Sequence, residues 1–400
     1  MNIDDVITQR DYLDYTKQVH GYSNAIGRLV ELSHSYISDA ERAHNAGANA
    51  IWANGFWETP LLYACGVIPV SFAEMGRLSD KEAMEIAENY YQFPVETCSM
   101  VKCVVGQWHQ RRGSGIRRIL GSSGACEPFN LAWEIMRKEG YEVYNIDTTY
   151  RAPGTKGKRL DDLIEFFKSE LYGVVEWLTG SREIDEGRLR TEILRKNRLI
   201  AKVKRILELR LKHPFYLKSL PTILLLNIGL TNYFGKPDEF EDVVNELLAE
   251  LEARPVNQAE LDRVIPLVWA GGTGQEFGIY EAIDQAGGSL LGLRTVPIRP
   301  YREDVPPVEA LVRFLYDNQN GGAAVYSREI IEGEIAKVGA RGLVLYGYIG
   351  CSFASVDREM WRNYFHQKGI PSINLEGSYQ TGAPTGQLMT RVKAFIEMLS

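Results

Sequence analysis

The sequence predicts an α/β protein built as two parallel-sheet lobes with a helical section between them, and three observations lead there. One unit recurs along the chain: a β-rich run, a glycine-containing turn, an amphipathic helix, a glycine stop and a second β-rich run. It is read as GIRRILGSSGACEPFNLAWEIMRKEGYEVYNID over residues 115–147, as VIPLVWAGGTGQEFGIYEAIDQAGGSLLGL over 264–293, and as GLVLYGYIGCSFASVDREMWRNYFHQKGIPSINLEG over 342–377. Strand, helix, strand crossovers within one sheet are nearly always parallel and right-handed. Between residues 161 and 262 the strand signals stop and helical periodicity alone remains. A length of 400 residues also exceeds a usual single core, so more than one lobe is expected.

Residues 22–48 carry an amphipathic helical pattern that would cover a lobe. ANAIWANGFWETPLLYACGVIPVSFAE then reads as a strand, a turn around Asn54 and Gly55, a short helix from Thr59, and a strand ending just before Glu74. Trp52, Phe56 and Trp57 flank that turn as core aromatics or as a pocket lining. A helix runs from Ser79, and after Pro94, Glu96 and Thr97 another opens at Cys98, with Cys103 packed mid-helix. In the 115–147 unit, Cys126 stands at the turn into a helix whose Pro128 suits a first turn. RAPGTKGKR, Arg151 to Arg159, reads as an exposed basic loop. Two long helices follow, the second, REIDEGRLRTEILRKNRLIAKVKRILELRLKHP, mostly a solvated or partner-facing surface because its charges alternate. Pro255 and Asn257 mark a boundary. The expected layout is an N-terminal helix and first α/β lobe with Cys98 and Cys126 over residues 1–160, a helical section over 161–262, and a second α/β lobe with Cys351 over 263–400, both lobes Rossmann/flavodoxin-like.

Hydrophobic residues at 45% and charged residues at 24% describe a soluble globular chain. A net charge of -7 argues against bulk affinity for nucleic acid. No apolar run reaches the roughly 20 residues of a membrane span, ILLLNIGL near residue 225 being too short. The acidic, polar start MNIDDVITQRDYLDYTKQ is unlike a signal peptide, so a cytoplasmic location is expected. There the five cysteines are reduced thiols or metal ligands rather than disulfides.

Three of those cysteines, Cys98, Cys126 and Cys351, share one placement, the junction between a loop or strand end and a helix start. In parallel sheets ligands gather at the carboxyl ends of strands, and the positive end of a helix favours a thiolate. Such a set suits an iron–sulfur cluster, and it equally suits three ordinary cysteines. Zinc fits poorly, because His20, His34, His44, His109, His213 and His366 are scattered and no HExxH occurs. Cys65, on the apolar side of a short helix, reads as a buried small hydrophobe. Gly271, Gly272 and Gly274 of GGTGQE could cradle a phosphate at a helix start, or could simply make a tight turn. Arg111, Arg112, Arg117 and Arg118, with the 151–159 loop, could grip an anionic cofactor or a docking protein, or could be solvated.

Five segments together resemble the 2-hydroxyacyl-CoA dehydratase and benzoyl-CoA reductase subunit family, in particular proteins like the 2-hydroxyglutaryl-CoA dehydratase D-component: ETPLLYACGVIPV, CSMVKCVVG, GACEPFNLAWE, YGYIGCSF and TGQLMTRVKAFIEML. The resemblance runs from about Trp52 to Leu399. It implies that Cys98, Cys126 and Cys351 hold a 4Fe-4S cluster through three of its irons, one cluster per subunit, leaving the fourth iron open. It further implies a two-subunit assembly, with a paralogue or a second copy, charged with one electron by an ATP-hydrolysing iron–sulfur activator. Acyl-CoA is the implied substrate, dehydrated through a ketyl radical to an enoyl-CoA. The turn ANGFWE departs from such subunits, which can carry a serine there, while this chain offers Asn54, Gly55 and Phe56. That departure leaves open a ring-reducing benzoyl-CoA reductase subunit or a non-catalytic electron-transfer subunit. Of the nearby acids Glu58 and Glu74, Glu74 is the better placed to position a proton.

Overall fold

Two four-stranded sheets form, each wholly parallel and each with the same strand order. The computed structural model describes residues 9–53, 58–74, 81–113, 115–122, 126–149, 152, 154–273, 276–294, 298–317, 324–379 and 385–400. The chain opens with helices α1 (Gln9–Val19) and α2 (Asn24–Asn45), the latter capped by Ser23, whose hydroxyl accepts the Ile26 N–H. The first sheet is built from β1 (Asn49–Ala53), α3 (Thr59–Ala64), β2 (Val67–Ser71), α4 (Lys81–Glu85), α5 (Ser99–Gln110), β3 (Arg118–Ser122), α6 (Glu127–Lys138) and β4 (Glu142–Ile146), in the order β2-β1-β3-β4. Strand β3 starts and ends two residues later than the apolar run IRRIL suggests. Gly121 and Ser122 extend the ladder to Asn145 and Ile146, and Gly121 serves there because the Trp133 ring fills the space where a side chain would stand.

The helical section comprises α7 (Lys158–Thr179), α8 (Glu186–Arg210), α9 (Ser219–Leu224), a π turn over Leu225–Gly229, α10 (Pro237–Glu252) and α11 (Gln258–Arg263). Helix α7 begins at Lys158, inside the stretch expected as a basic loop. Helix α8 departs furthest from its sequence reading. It buries Leu189, Ile193, Leu199, Ile200, Val203, Ile206 and Leu209, an apolar stripe at helical spacing hidden among the alternating charges. Lys196 is drawn in with them. Its ammonium donates to the Leu230 and Thr231 carbonyls and lies 4.9 Å over the Tyr233 ring, and burial pulls its pKa down to about 7.

The second sheet is built from β5 (Ile265–Gly271), α12 (Gly278–Gln285), β6 (Gly288–Arg294), α13 (Pro307–Asp317), α14 (Ala324–Val338), β7 (Gly342–Tyr348), α15 (Ser352–Gln367), β8 (Ser372–Gly377) and α16 (Gly386–Leu399), in the order β6-β5-β7-β8. In both sheets the chain reverses its direction of progress between the first strand and the third, the switch point at which open α/β sheets bind ligands.

Period-two alternation gives each sheet two apolar faces. Ala50, Trp52 and Ile119 of the first sheet and Trp269, Val344 and Tyr346 of the second belong to one continuous core, so the two lobes share an interior. The reverse face of the first sheet, with Ile51, Ala53 and Leu120, is covered by α7 and by α13, which crosses over from the later half of the chain. The reverse face of the second, with Val268, Ala270, Leu343 and Leu345, lies under α14 and α15. No helix among the described residues is long and apolar enough to cross a membrane.

Arg210, at the end of α8, ties the helical section to the second sheet. It is 1% exposed, and its guanidinium donates to the Leu217 carbonyl at 2.6 Å, to the Leu290 carbonyl of β6, and to the Ser289 hydroxyl at 3.3 Å. Replacing it with a chain of similar volume strands two buried carbonyls. Arg210→Met is therefore expected to lower the unfolding free energy by about 3 kcal/mol, read as a lower denaturant midpoint; an unchanged midpoint would show that water satisfies those carbonyls.

Candidate metal centre

Three cysteines stand at N-cap positions: Cys98 before α5, Cys126 before α6 and Cys351 before α15. An N-cap is normally filled by Ser, Thr, Asp or Asn, whose oxygen takes a first-turn N–H. Here none of the three side chains closes a conventional cap hydrogen bond, and the first-turn amides that are engaged face the sulfurs of Cys98 and Cys126. The Met100 and Val101 N–H groups favour a charged Cys98, and the Phe129 N–H favours a charged Cys126.

Backbone contacts bring the first and third of these caps together across the two lobes. The Ser99 N–H donates to the Ile349 carbonyl at 2.9 Å, and the Ile349 N–H donates to the Gly377 carbonyl at 3.0 Å. The Tyr379 N–H donates to the Ser99 hydroxyl at 3.1 Å. Gly350, at φ +78°, lies so close to this junction that a Cβ would overlap the Glu96 carbonyl oxygen and stand 2.8 Å from that of Thr97. Only glycine fits that approach. As a result the Cys98 and Cys351 thiols hydrogen-bond to each other, and Cys126 is near enough to feel the charge of Cys351. Among the described residues no three His, Cys, Asp or Glu side chains converge as ligands of a single ion. A cuboidal cluster makes a different demand, since each thiolate binds its own iron and the sulfurs surround the cube rather than meet at a point.

Protonation departs from the sequence expectation of a stabilised thiolate. The hydrogen bond with Cys351, and then burial, hold the Cys98 thiol well above its ordinary pKa, and burial raises Cys126 against the opposing Phe129 amide. At Cys98 the hydrogen bond with Cys351 together with desolvation, and at Cys126 desolvation alone, outweigh the helix ends, so a metal held by these thiols would displace protons. Behind Cys126 the walls are aromatic, with Phe72 and Phe129 centroids 5.4 Å apart and Phe129 stacked on Trp133 at 5.2 Å. The remaining cysteines lie elsewhere. Cys103 is fully buried within α5, whereas Cys65 ends α3 only half-buried, its thiol pushed up to about 11 by desolvation.

Glu74 is buried in a 3-10 turn, Phe72–Glu74, after β2, together with the Phe72 that packs on Phe129. Asn54, Gly55, Phe56, Trp57, Gly274 and Arg151 lie outside the described residues. Gly271 and Gly272 have a packing reason: a Cβ on Gly271 would overlap the Tyr346 carbonyl, and one on Gly272 would stand 2.6 Å from the Tyr348 ring. Arg111 pairs with Glu41 at 2.5 Å, the exposed Arg112 reaches the His109 ring at 3.0 Å, and the Arg117 and Arg118 guanidiniums cover the Tyr141 and Trp177 rings at 4.2 Å, so all four arginines are engaged within the protein.

Sequence reading missed a tyrosine near the thiols, Tyr348, and a buried acid, Glu276, that is hydrogen-bonded to Tyr346 on the same strand face. Tyr348 of β7 is half-buried within electrostatic reach of Cys98 and Cys351, and its hydroxyl donates to the Thr273 carbonyl at 3.2 Å. Glu276 accepts a hydrogen bond from Tyr346 at 3.2 Å, and burial lifts its pKa to about 7. The alternation of YGYIGC already places Tyr346 and Tyr348 on one strand face.

If the Gly350 junction sets the thiol geometry, mild oxidation of the iron-free protein should cross-link Cys98 to Cys351, and Gly350→Ala should abolish that link by forcing the two backbones apart. Peptide mapping reads both results. A link that forms unchanged in the variant counts against the junction.

The family model for the 2-hydroxyglutaryl-CoA dehydratase D-component matches residues 56–399. A search of curated proteins finds no match to the chain. The matched span takes in strands β2 to β8, all five cysteines and the final helix α16. With that much of its length accounted for by one model, the chain belongs to the 2-hydroxyglutaryl-CoA dehydratase D-component family.

Proposed function

We propose that the chain is the iron–sulfur subunit of an ATP-activated 2-hydroxyacyl-CoA dehydratase, which removes water from a 2-hydroxyacyl-CoA to give an enoyl-CoA through a ketyl radical. The observation that supports this most is the contact between the Cys98 and Cys351 thiols, two helix caps from different lobes, with Cys126 close by. Cys98, Cys126 and Cys351 would hold a 4Fe-4S cluster by three of its irons. When bound, it supplies a one-electron carrier and an open iron that acts as a Lewis acid toward the substrate oxygen.

The protein's own groups then have defined tasks. First-turn amides of α5 and α6 offset negative charge at the sulfurs. Phe72, Phe129 and Trp133 exclude water from the Cys126 side, where a radical needs protection. Glu74, buried after β2, would hold a proton during elimination. The family name carries a second component, so a paralogous subunit or a second copy completes the enzyme, together with the ATP-hydrolysing activator. A benzoyl-CoA reductase subunit, or an electron-transfer subunit that meets no substrate, is the second reading, and the specific observation in its favour is the ANGFWE turn without a serine.

Anaerobically purified protein should contain iron and sulfide. Cys98→Ser, Cys126→Ser and Cys351→Ser should each lose most of the iron, while Cys65→Ala and Cys103→Ala keep it. Iron lost from Cys103→Ala and retained in Cys98→Ser would reassign the ligand. With the activator, partner and reductant supplied, a 2-hydroxyacyl-CoA should turn over and benzoyl-CoA should not; the reverse result selects the reductase. Glu74→Gln should cut turnover by about 100-fold or more with iron content unchanged, and an unaltered rate would remove Glu74 from the reaction.

A further inference from the structure

A buried acid–phenol pair, Glu276 and Tyr346, plays no part in the reaction as described so far. Glu276 is 6% exposed. Its carboxyl is locked against the end of β8, since a Cβ on Gly377 would overlap both Glu276 Oε2 and the Tyr346 hydroxyl. From there two routes lead to the thiols. Tyr346 donates to Oε2, and its ring meets Tyr348 edge-on with centroids 6.1 Å apart, Tyr348 lying within electrostatic reach of Cys98 and Cys351. The other route runs through residues 377–379: the Ser378 amide faces the carboxyl, the Tyr379 N–H holds the Ser99 hydroxyl beside Cys98, and the Gly377 carbonyl holds Ile349, two residues from Cys351.

We propose that Glu276 is a positioning residue and the proton store of the thiol cleft, taking up one proton when one negative charge is added at Cys98, Cys126 and Cys351. This rests on the cluster reading above. The balance is simple: an external one-electron reductant gives its electron to the centre, a solvent acid gives its proton to the Glu276 carboxylate, and no bond to carbon forms or breaks. Among the described residues no charged side chain offsets the acid. Its carboxyl meets the Tyr346 hydroxyl of β7 and the Ser378 amide, and the Tyr346 ring in turn stacks on Trp269 of β5 and meets Tyr348 edge-on. Glu281 and Asp284, on helix α12 just after Glu276, are engaged by Tyr15 and by Ser219. The Arg358–Glu376 pair is on the opposite face of the sheet, with the guanidinium against Gly347. Burial brings Glu276 to about 7, against the opposing Tyr346 and Ser378 hydrogen bonds, and a new negative charge nearby raises such a group further.

The test is the midpoint potential of the anaerobically purified holoprotein from about pH 6 to about pH 9, with iron and sulfide assayed in every sample. In the wild type the potential falls as pH rises through the neutral range. In Glu276→Gln, with iron unchanged, it stays level. Tyr346→Phe removes a donor that favours the carboxylate, so the sloping interval moves to higher pH, a displacement that a purely structural role does not produce. A wild-type slope in Glu276→Gln overturns the proposal, and so does an undisplaced interval in Tyr346→Phe, which decides the matter should the first variant not fold. Wild-type protein without iron and sulfide overturns the cluster reading instead, and the proposal with it.

Discussion

The candidate site depends on one close approach, that of Gly350 to the carbonyl oxygens of Glu96 and Thr97. Two lobes with parallel sheets have no inherent reason to present their ligand-binding edges to each other. Here the end of β7 is pressed into the turn before α5, and the Ser99 N–H donor to the Ile349 carbonyl fixes the register of that contact. A left-handed backbone angle alone would cost a non-glycine residue about 1–2 kcal/mol. The overlap with backbone oxygens is the heavier constraint, because atoms in a packed junction cannot retreat without moving a helix cap. Sequence-distant thiols come within hydrogen-bonding range as a consequence of backbone packing, before any metal is considered.

Electrostatics then works against the chain's own fold. Burial favours neutral thiols at Cys98 and Cys126, and the amides of two helix starts offset that preference only in part. The same imbalance runs through the interior: Lys196 is pulled down to about 7, while Glu276 and Asp284 are pushed up to about 7. Three of these groups therefore titrate near neutrality inside an apolar medium. Lys196 and Asp284 are taken up by carbonyls and by Ser219, partners that also brace helices. Among the described residues Glu276 is joined to Tyr346 and to the Ser378 amide, groups that continue toward the thiols, and that distinguishes it.

The fold is legible in the sequence where a crossover carries its own punctuation. β3, α6 and β4, and again β7, α15 and β8, are each bracketed by a glycine turn and a glycine stop, and their apolar residues keep one period per element. Legibility fails where tertiary contacts overrule composition. Alternating charges on α8 conceal a buried stripe, because a long helix can satisfy Arg and Glu on one side and bury Leu and Ile on the other. Strand β3 runs on through Gly121 because a tryptophan from α6 fills the space, which no local pattern can announce. At the site, helix-start placement singles out Cys98, Cys126 and Cys351, whereas Tyr348 and Glu276 read as an ordinary strand residue and the tail of a glycine turn. Their position follows only from the pairing of β5 with β7.

Repetition of one unit explains why the three caps differ in role. Cys126 and Cys351 occupy the same junction, after the third strand of equivalent sheets, so any arrangement that faces the two switch points toward each other brings these two thiols to one cleft. Cys98 has no such partner, for it caps the crossover helix that enters β3 and depends on the Gly350 contact for its position. The β5–α12–β6 unit keeps the same form but has glycines at its junction, and their space is taken by β7 backbone and the Tyr348 ring. Glycine there brings Tyr346 and Tyr348 up against the turn that carries Glu276. One supersecondary unit thus supplies thiols at two of its junctions and, at the third, glycines that let β7 and its tyrosines pack against the turn before Glu276.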